Sequence, residues 1–104
     1  MIEYRYITAF QNSLDNLLSV KRGVYSGVID EISHEFKSKT IEEIRSNRDM
    51  ILLQDEAVII KLRLPDKKYQ MSKKDGYRLI YYVSKTDPYV VFLKVYLKED
   101  HYRK

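Results

Sequence analysis

Three stretches in the second half of the chain, residues 57–64, 75–83 and 89–98, are dense in β-branched and aromatic side chains and are bounded by turn formers. Each is expected to form a strand. The connections between them, residues 65–74 and 84–88, are short enough to join antiparallel neighbours. On a strand, residues i and i+2 share a face. The first stretch therefore sends Val58, Ile60, Leu62 and Leu64 one way, the second Leu79, Tyr81 and Val83, and the third Val91, Leu93, Val95 and Leu97. This is the expected core face. The other face carries Lys61 and Arg63, then Arg78, Ile80 and Tyr82, then Phe92, Lys94, Tyr96 and Lys98.

The first half is patterned differently. Residues 2–9 are rich in Tyr and Ile and alternate imperfectly, which predicts a first strand. Asn12, with Asp15 three residues on, is the expected N-cap of a following helix. Phe10, Leu14, Leu17, Leu18, Val24, Val28, Ile32 and Phe36 recur near i, i+3, i+4 and i+7, so one long helix or two collinear ones bury a single stripe, weakened at Gly23 and Gly27. Thr40 followed by Glu43 matches a capping box and predicts a second, short helix to about Arg48. The apolar run 50–53 fits a helix end or a short strand equally, with 54–56 as a turn. The expectation is a single α+β domain over residues 1–104 in the order β-α-α-β-β-β. Two N-terminal helices cover one face of a small, mainly antiparallel four-stranded sheet, and the other face is open to solvent.

Charge sharpens this picture. The chain of 104 residues has a net charge of +4, yet residues 1–60 hold 7 basic and 10 acidic side chains whereas residues 61–104 hold 12 and 5. The positive charge belongs to the last three strands, which points to a polyanion or an acidic protein as partner. There is no cysteine and there are two histidines, His34 and His101, so a disulfide framework and a thiolate metal site are excluded and no metal or cofactor is expected. The N-terminus lacks the apolar core of a signal peptide and no apolar run reaches membrane-spanning length. A cytoplasmic protein is expected. Gly-rich phosphate loops, G-x-S-x-G and H-E-x-x-H are also missing.

Cations interleaved with aromatic rings on one strand face suit single-stranded RNA, whose bases stack on rings while its phosphates meet Lys and Arg. RNA brings its own nucleophile, the 2′-hydroxyl. A metal-free cleaving enzyme needs only to remove that proton, stabilise the phosphorane and protonate the leaving 5′-oxygen. Arg78 is the central candidate for the phosphorane, because a guanidinium fork donates two parallel hydrogen bonds to phosphate oxygens. Arg63 stands one strand away. Lys61, Lys73, Lys74, Lys94 and Lys98 are candidates for flanking phosphates, with Tyr82 for a base, and Tyr96, His101 and Tyr102 for proton transfer.

The order of a Tyr-rich first strand, helices, Lys61-Leu62-Arg63, Gly76-Tyr77-Arg78-Leu79-Ile80-Tyr81 and a last strand ending at Lys98 resembles the RelE/ParE superfamily of bacterial type II toxins, especially its RelE and HigB branch. The resemblance implies a ribosome-dependent, metal-independent messenger RNA endonuclease held inactive by a cognate antitoxin. Lys61, Arg63 and Arg78 match basic positions that the family uses on RNA, and Lys73 or Lys74 replaces the lysine of the family's loop. At the C-terminus Glu99 follows Lys98 where relatives carry a basic residue. Either His101 and Tyr102 take the place of the family's late tyrosine, or catalysis is weaker than in RelE. Two alternatives stay open: a ParE-like toxin that inhibits DNA gyrase, and a toxin-fold binding protein with little activity.

Overall fold

The computed structural model describes residues 1–47 and 49–98. The elements run β1 (Glu3–Tyr6), α1 (Thr8–Ser19), a 3-10 turn (Val20–Gly23), α2 (Val28–Phe36), α3 (Ile41–Arg45), β2 (Met50–Leu53), β3 (Ala57–Leu64), β4 (Tyr77–Ser84) and β5 (Tyr89–Leu97). The strands form one sheet in the order β1-β5-β4-β3-β2. β1 lies parallel to β5, and the other three pairings are antiparallel. The α+β expectation stands, but among the described residues the sheet is five-stranded and mixed rather than four-stranded, and there are three helices rather than two. The run 50–53, which fits either state in isolation, becomes a strand because Leu52 and Leu53 find partners in Ile59 and Val58.

The helical half departs from its pattern at two points. Asn12 is not a cap: the helix begins at Thr8, with Ile7 at the N-cap and no side-chain cap hydrogen bond. The chain passes straight from the parallel strand into the helix. The Ile7 amide donates to the Phe92 carbonyl at 3.3 Å, while the Ile7 carbonyl accepts from Phe10 and Gln11 at 3.0 and 3.2 Å. Tertiary pairing thus satisfies the N-cap amide, and the Phe10 amide is satisfied locally by the Ile7 carbonyl rather than by a capping side chain. The single apolar stripe is cut into α1 and α2 at Gly23, which adopts φ +77°, a conformation that glycine reaches without a Cβ clash. Thr40 caps α3 as expected, its hydroxyl accepting from the Glu43 amide at 3.2 Å and its amide donating to the Glu43 carboxylate at 2.9 Å. That bond to the Thr40 amide holds Glu43 below its ordinary pKa.

Phe10, Leu17, Val28, Phe36 and Ile44 from the helices meet Val58, Ile60, Leu62, Leu64, Leu79, Tyr81, Val83, Val90, Val95 and Leu97 from one face of the sheet. The expected faces hold for β3 and β4. They fail in part of β5, where Ile80 faces Lys94 but Tyr81 faces Phe92, leaving Leu93 as an unopposed extra residue. This bulge advances the alternation by one position. Phe92 consequently packs inward, 5.4 Å from the Phe10 ring and 5.5 Å from that of Phe36, and Val91 takes the open face opposite Tyr82.

The loop between β3 and β4 is tied down from both sides. Asp66 and Met71 exchange backbone hydrogen bonds of 3.0 and 2.8 Å, with Gln70 between them at φ +57°. The Lys67 amide donates to the buried Glu31 carboxylate of α2 at 2.8 Å. The fully buried Asp66 carboxylate accepts from the Tyr69 amide at 2.9 Å and from the Tyr77 hydroxyl. Burial, then the bond to Asp66, raises the Tyr77 pKa far above its ordinary 10.0. Burial likewise raises Tyr81, whose hydroxyl donates to the Ile44 carbonyl at 3.1 Å.

Above pH 10 the unfolded chain ionises both hydroxyls while the folded chain keeps them protonated. The unfolded state then binds fewer protons, so stability is complete below pH 10 and falls as pH rises beyond it. Urea unfolding across the alkaline range is expected to show this fall, and Tyr77→Phe is expected to shallow it. Stability that stays level above pH 10 would contradict the buried-hydroxyl picture. Among the described residues, no helix is long and apolar enough to cross a membrane, and no group of three or more His, Asp or Glu could hold a metal ion.

Candidate nucleic-acid interface

The helices cover one face of the sheet, so the other presents side chains in register across β3, β4 and β5. Three rows follow from the pairing: Arg63, Arg78 and Tyr96; Lys61, Ile80 and Lys94; Ile59, Tyr82 and Val91. Neighbouring strands lie about 4.8 Å apart, so each row brings its members together. Arg63 and Arg78 are directly opposed. Like charges at that spacing repel and favour an intervening anion.

The first two rows and the chain beyond them close a cleft of about 520 Å³ lined by Lys61, Arg63, Lys74, Arg78 and Lys98, with Asp49 and Ile51 on the remaining wall. Among the described residues, five cations face one carboxylate. Lys98 is brought in by its own backbone, whose amide donates to the Gly76 carbonyl at 3.1 Å, while Lys74 arrives from the β3–β4 loop.

Arg78 occupies the centre of this wall but is only 7 % exposed. Its Nη1 donates to the carbonyls of Lys73 at 2.9 Å and Tyr77 at 3.1 Å, and its Nη2 to that of Lys74 at 2.8 Å. A guanidinium has five N–H donors; two are engaged by the loop and one by the carbonyl of Tyr77 at the start of β4. Arg78 thus fastens the loop to the sheet and leaves the remainder of its fork for the cleft. Arg63, opposite it, is exposed.

Tyr96 stands beside Arg78 in the next strand, with the Lys61 ammonium 5.9 Å and the Lys94 ammonium 5.4 Å from its ring centre. Such pairs hold cations over an aromatic face. Tyr82 is separate from this group. It lies toward the far end of the sheet, 6.1 Å from the Tyr89 ring, and its hydrogen bond with Tyr89 raises its pKa. The Arg5 guanidinium covers Tyr89 at 4.4 Å.

Lys73 and Lys74 part company. Lys73 lines a second cleft of about 720 Å³ with Glu35, Lys39, Glu43, Asp49 and Arg63 among its walls, so Lys74 alone of the two enters the cationic cleft. Phe92, expected among the open-face rings, is in the core. His101 and Tyr102 lie outside the described residues. Asp49, Arg5 and Tyr89 were not anticipated. Asp49 precedes a segment of ambiguous state, and Arg5 and Tyr89 become neighbours only through the parallel pairing of β1 and β5, which local periodicity does not report.

Chemically, the cleft can hold a phosphodiester between Arg63, Lys61 and Lys98, offers a carboxylate as proton acceptor, and has a phenol at its edge. No protein-family model, curated protein or solved structure matches this chain.

Proposed function

We propose that the protein is the toxin of a bacterial type II toxin–antitoxin pair, cytoplasmic, and a ribosome-dependent, metal-independent endoribonuclease that cleaves mRNA by attack of the 2′-hydroxyl. The observation that carries this reading is the five-cation cleft on the open face of a sheet whose other face is sealed by helices. In it, Arg63 grips the scissile phosphate and Arg78 assists from beneath. Lys61, Lys74 and Lys98 neutralise flanking charge, and Lys94 extends the basic field beyond the cleft. Asp49 accepts the 2′-hydroxyl proton, and Tyr96, His101 and Tyr102 are the candidates for returning one to the 5′-oxygen. Tyr82 and Tyr89 offer rings to a base further along the strand. The cognate antitoxin covers the same charge in the inactive complex.

The experiment is incubation of the purified protein with translating ribosomes and a defined mRNA. Cleavage is expected, falling about 100-fold in Arg63→Ala, in line with removal of one charge-stabilising donor. Unfolding temperature should hardly change, because Arg63 is exposed. Intact mRNA, or full cleavage by the variant, would sink the proposal. A second reading, a toxin-fold protein that binds RNA with little turnover, draws on the engagement of three Arg78 donors by backbone carbonyls. RNA retention without new 5′ ends would favour it. Inhibition of DNA supercoiling would instead favour the ParE-like alternative.

A further inference from the structure

β1 is the outer strand on one side of the sheet, and half of its backbone faces outward. The Glu3 amide donates to the Pro88 carbonyl at 2.9 Å and the Ile7 amide to that of Phe92 at 3.3 Å. Residues 3, 5 and 7 therefore turn their amides and carbonyls toward β5, while Tyr4 and Tyr6 turn theirs to the free edge. Side chains alternate in step with this. Glu3 and Arg5 share the open face, paired at 2.7 Å, and Tyr4 lies on the helix side, its ring 5.9 Å from those of Phe36 and Phe92. An apolar groove of about 230 Å³ runs there between β1 and α2, lined by Tyr4, Ile32, Phe36 and Phe92 with Ser33 and Lys37. Ile29, three residues before Ile32, is 49 % exposed.

We infer that β1 pairs with β1 of a second copy of this chain, antiparallel about a two-fold axis at Tyr4, to make one continuous sheet. Hydrogen bonding and charge select the occupant and the register together. An antiparallel neighbour exchanges bonds only between residues that both point to the shared edge, so Tyr4 faces Tyr4 or Tyr6 of the other copy. With Tyr4 facing Tyr6, Arg5 is opposed to Arg5, and like charges directly opposite repel. With Tyr4 facing Tyr4, Glu3 of each copy lies opposite Arg5 of the other. The four charges then form a square whose every side joins unlike groups, because Glu3 and Arg5 are also paired along each strand. Arg5 gives its Nε to its own Glu3, and its Nη groups serve the carboxylate across the axis. Such an edge deters strands of other sequence yet complements its own inverse. The same rotation brings the two Tyr4 rings and the two grooves together below the sheet and covers apolar surface that one copy leaves exposed. Four residues a side make a small contact, so the association is reversible and concentration-dependent. The cationic cleft lies toward β2, at the far side of the sheet. Both clefts stay open in the dimer, and the inference stands apart from the RNA chemistry.

Sedimentation equilibrium of the full chain tests it. The mass is expected to rise with concentration from 12.5 kDa toward twice that value. Arg5→Glu and Glu3→Arg, both at exposed positions, should each keep the wild-type circular dichroism and associate at least 10-fold more weakly, because each places like charges at all four corners of the square. An equimolar mixture of the two variants should regain the dimer, since one strand then carries two carboxylates and the other two guanidinium groups. The double variant Glu3→Arg/Arg5→Glu should regain it alone, because exchanging the two charges leaves the edge complementary to itself. A wild-type chain that stays monomeric up to millimolar concentration, its β1 edge left to a strand of another protein, overturns the inference. So does a dimer that both single reversals leave intact, or one that neither the mixture nor the double variant restores.

Discussion

Arg78→Ala is expected to lose messenger RNA cleavage by about 1,000-fold and to unfold roughly 10 °C below the wild type. Both losses come from one side chain. The guanidinium is buried and donates to the carbonyls of Lys73, Tyr77 and Lys74. Removing it strands those acceptors, a loss of about 2 kcal/mol for hydrogen bonds from a charged donor, which at this chain length is worth several degrees per kcal/mol. Freed from the sheet, the loop no longer holds Lys74 in the cleft, and the cleft loses two of its five cations at once. Arg78→Lys should recover little, because a single ammonium does not span the carbonyls that a planar fork reaches. The contrast with Arg63→Ala is the informative part. If both variants lose cleavage while only Arg78→Ala loses stability, Arg63 is the phosphate ligand and Arg78 its support. An Arg78→Ala protein as stable as the wild type would remove the clamp from the account.

Gly76→Ala is expected to cost about 3 kcal/mol or more and to lower the unfolding temperature by over 10 °C. The cause is a close approach rather than a turn. A Cβ at this position would stand 2.1 Å from the Leu64 carbonyl oxygen and 3.0 Å from that of Ser72, which no side-chain rotation relieves. Gly76 sits where the end of β3, the loop and the start of β4 converge, and its carbonyl also receives the Lys98 amide. Pushing these backbones apart would separate Arg63 from Arg78 and release Lys98. Thermal unfolding and the cleavage assay should therefore fail together. A variant within about 2 °C of the wild type would show that the backbone yields there at little cost.

Much of the sheet could be read from the chain because the signal is local. In β3 and β4 alternation alone placed Lys61, Arg63, Arg78 and Tyr82 outward and Ile60, Leu62, Leu79 and Tyr81 inward. The same rule failed at Phe92, since a single unopposed residue, Leu93, reverses a period of two. A bulge leaves no reliable mark in composition. The helix start at Thr8 departs from the local pattern for a related reason: its N-cap amide, that of Ile7, is held by a strand more than eighty residues away, whereas Asn12 displays a local capping preference that the fold does not use.

The pattern of residues determined which side chains are cationic, which strand face they occupy in β3 and β4, and that an apolar face opposes them, because each follows from neighbours within a few positions. Only tertiary structure decided that Lys74 rather than Lys73 enters the cleft, that Arg78 spends two donors on the loop, and that Asp49 joins the cations of the cleft. Those outcomes depend on how separate segments meet in space, where hydrogen-bond geometry and close backbone packing, not residue type, select among arrangements that the chain locally permits.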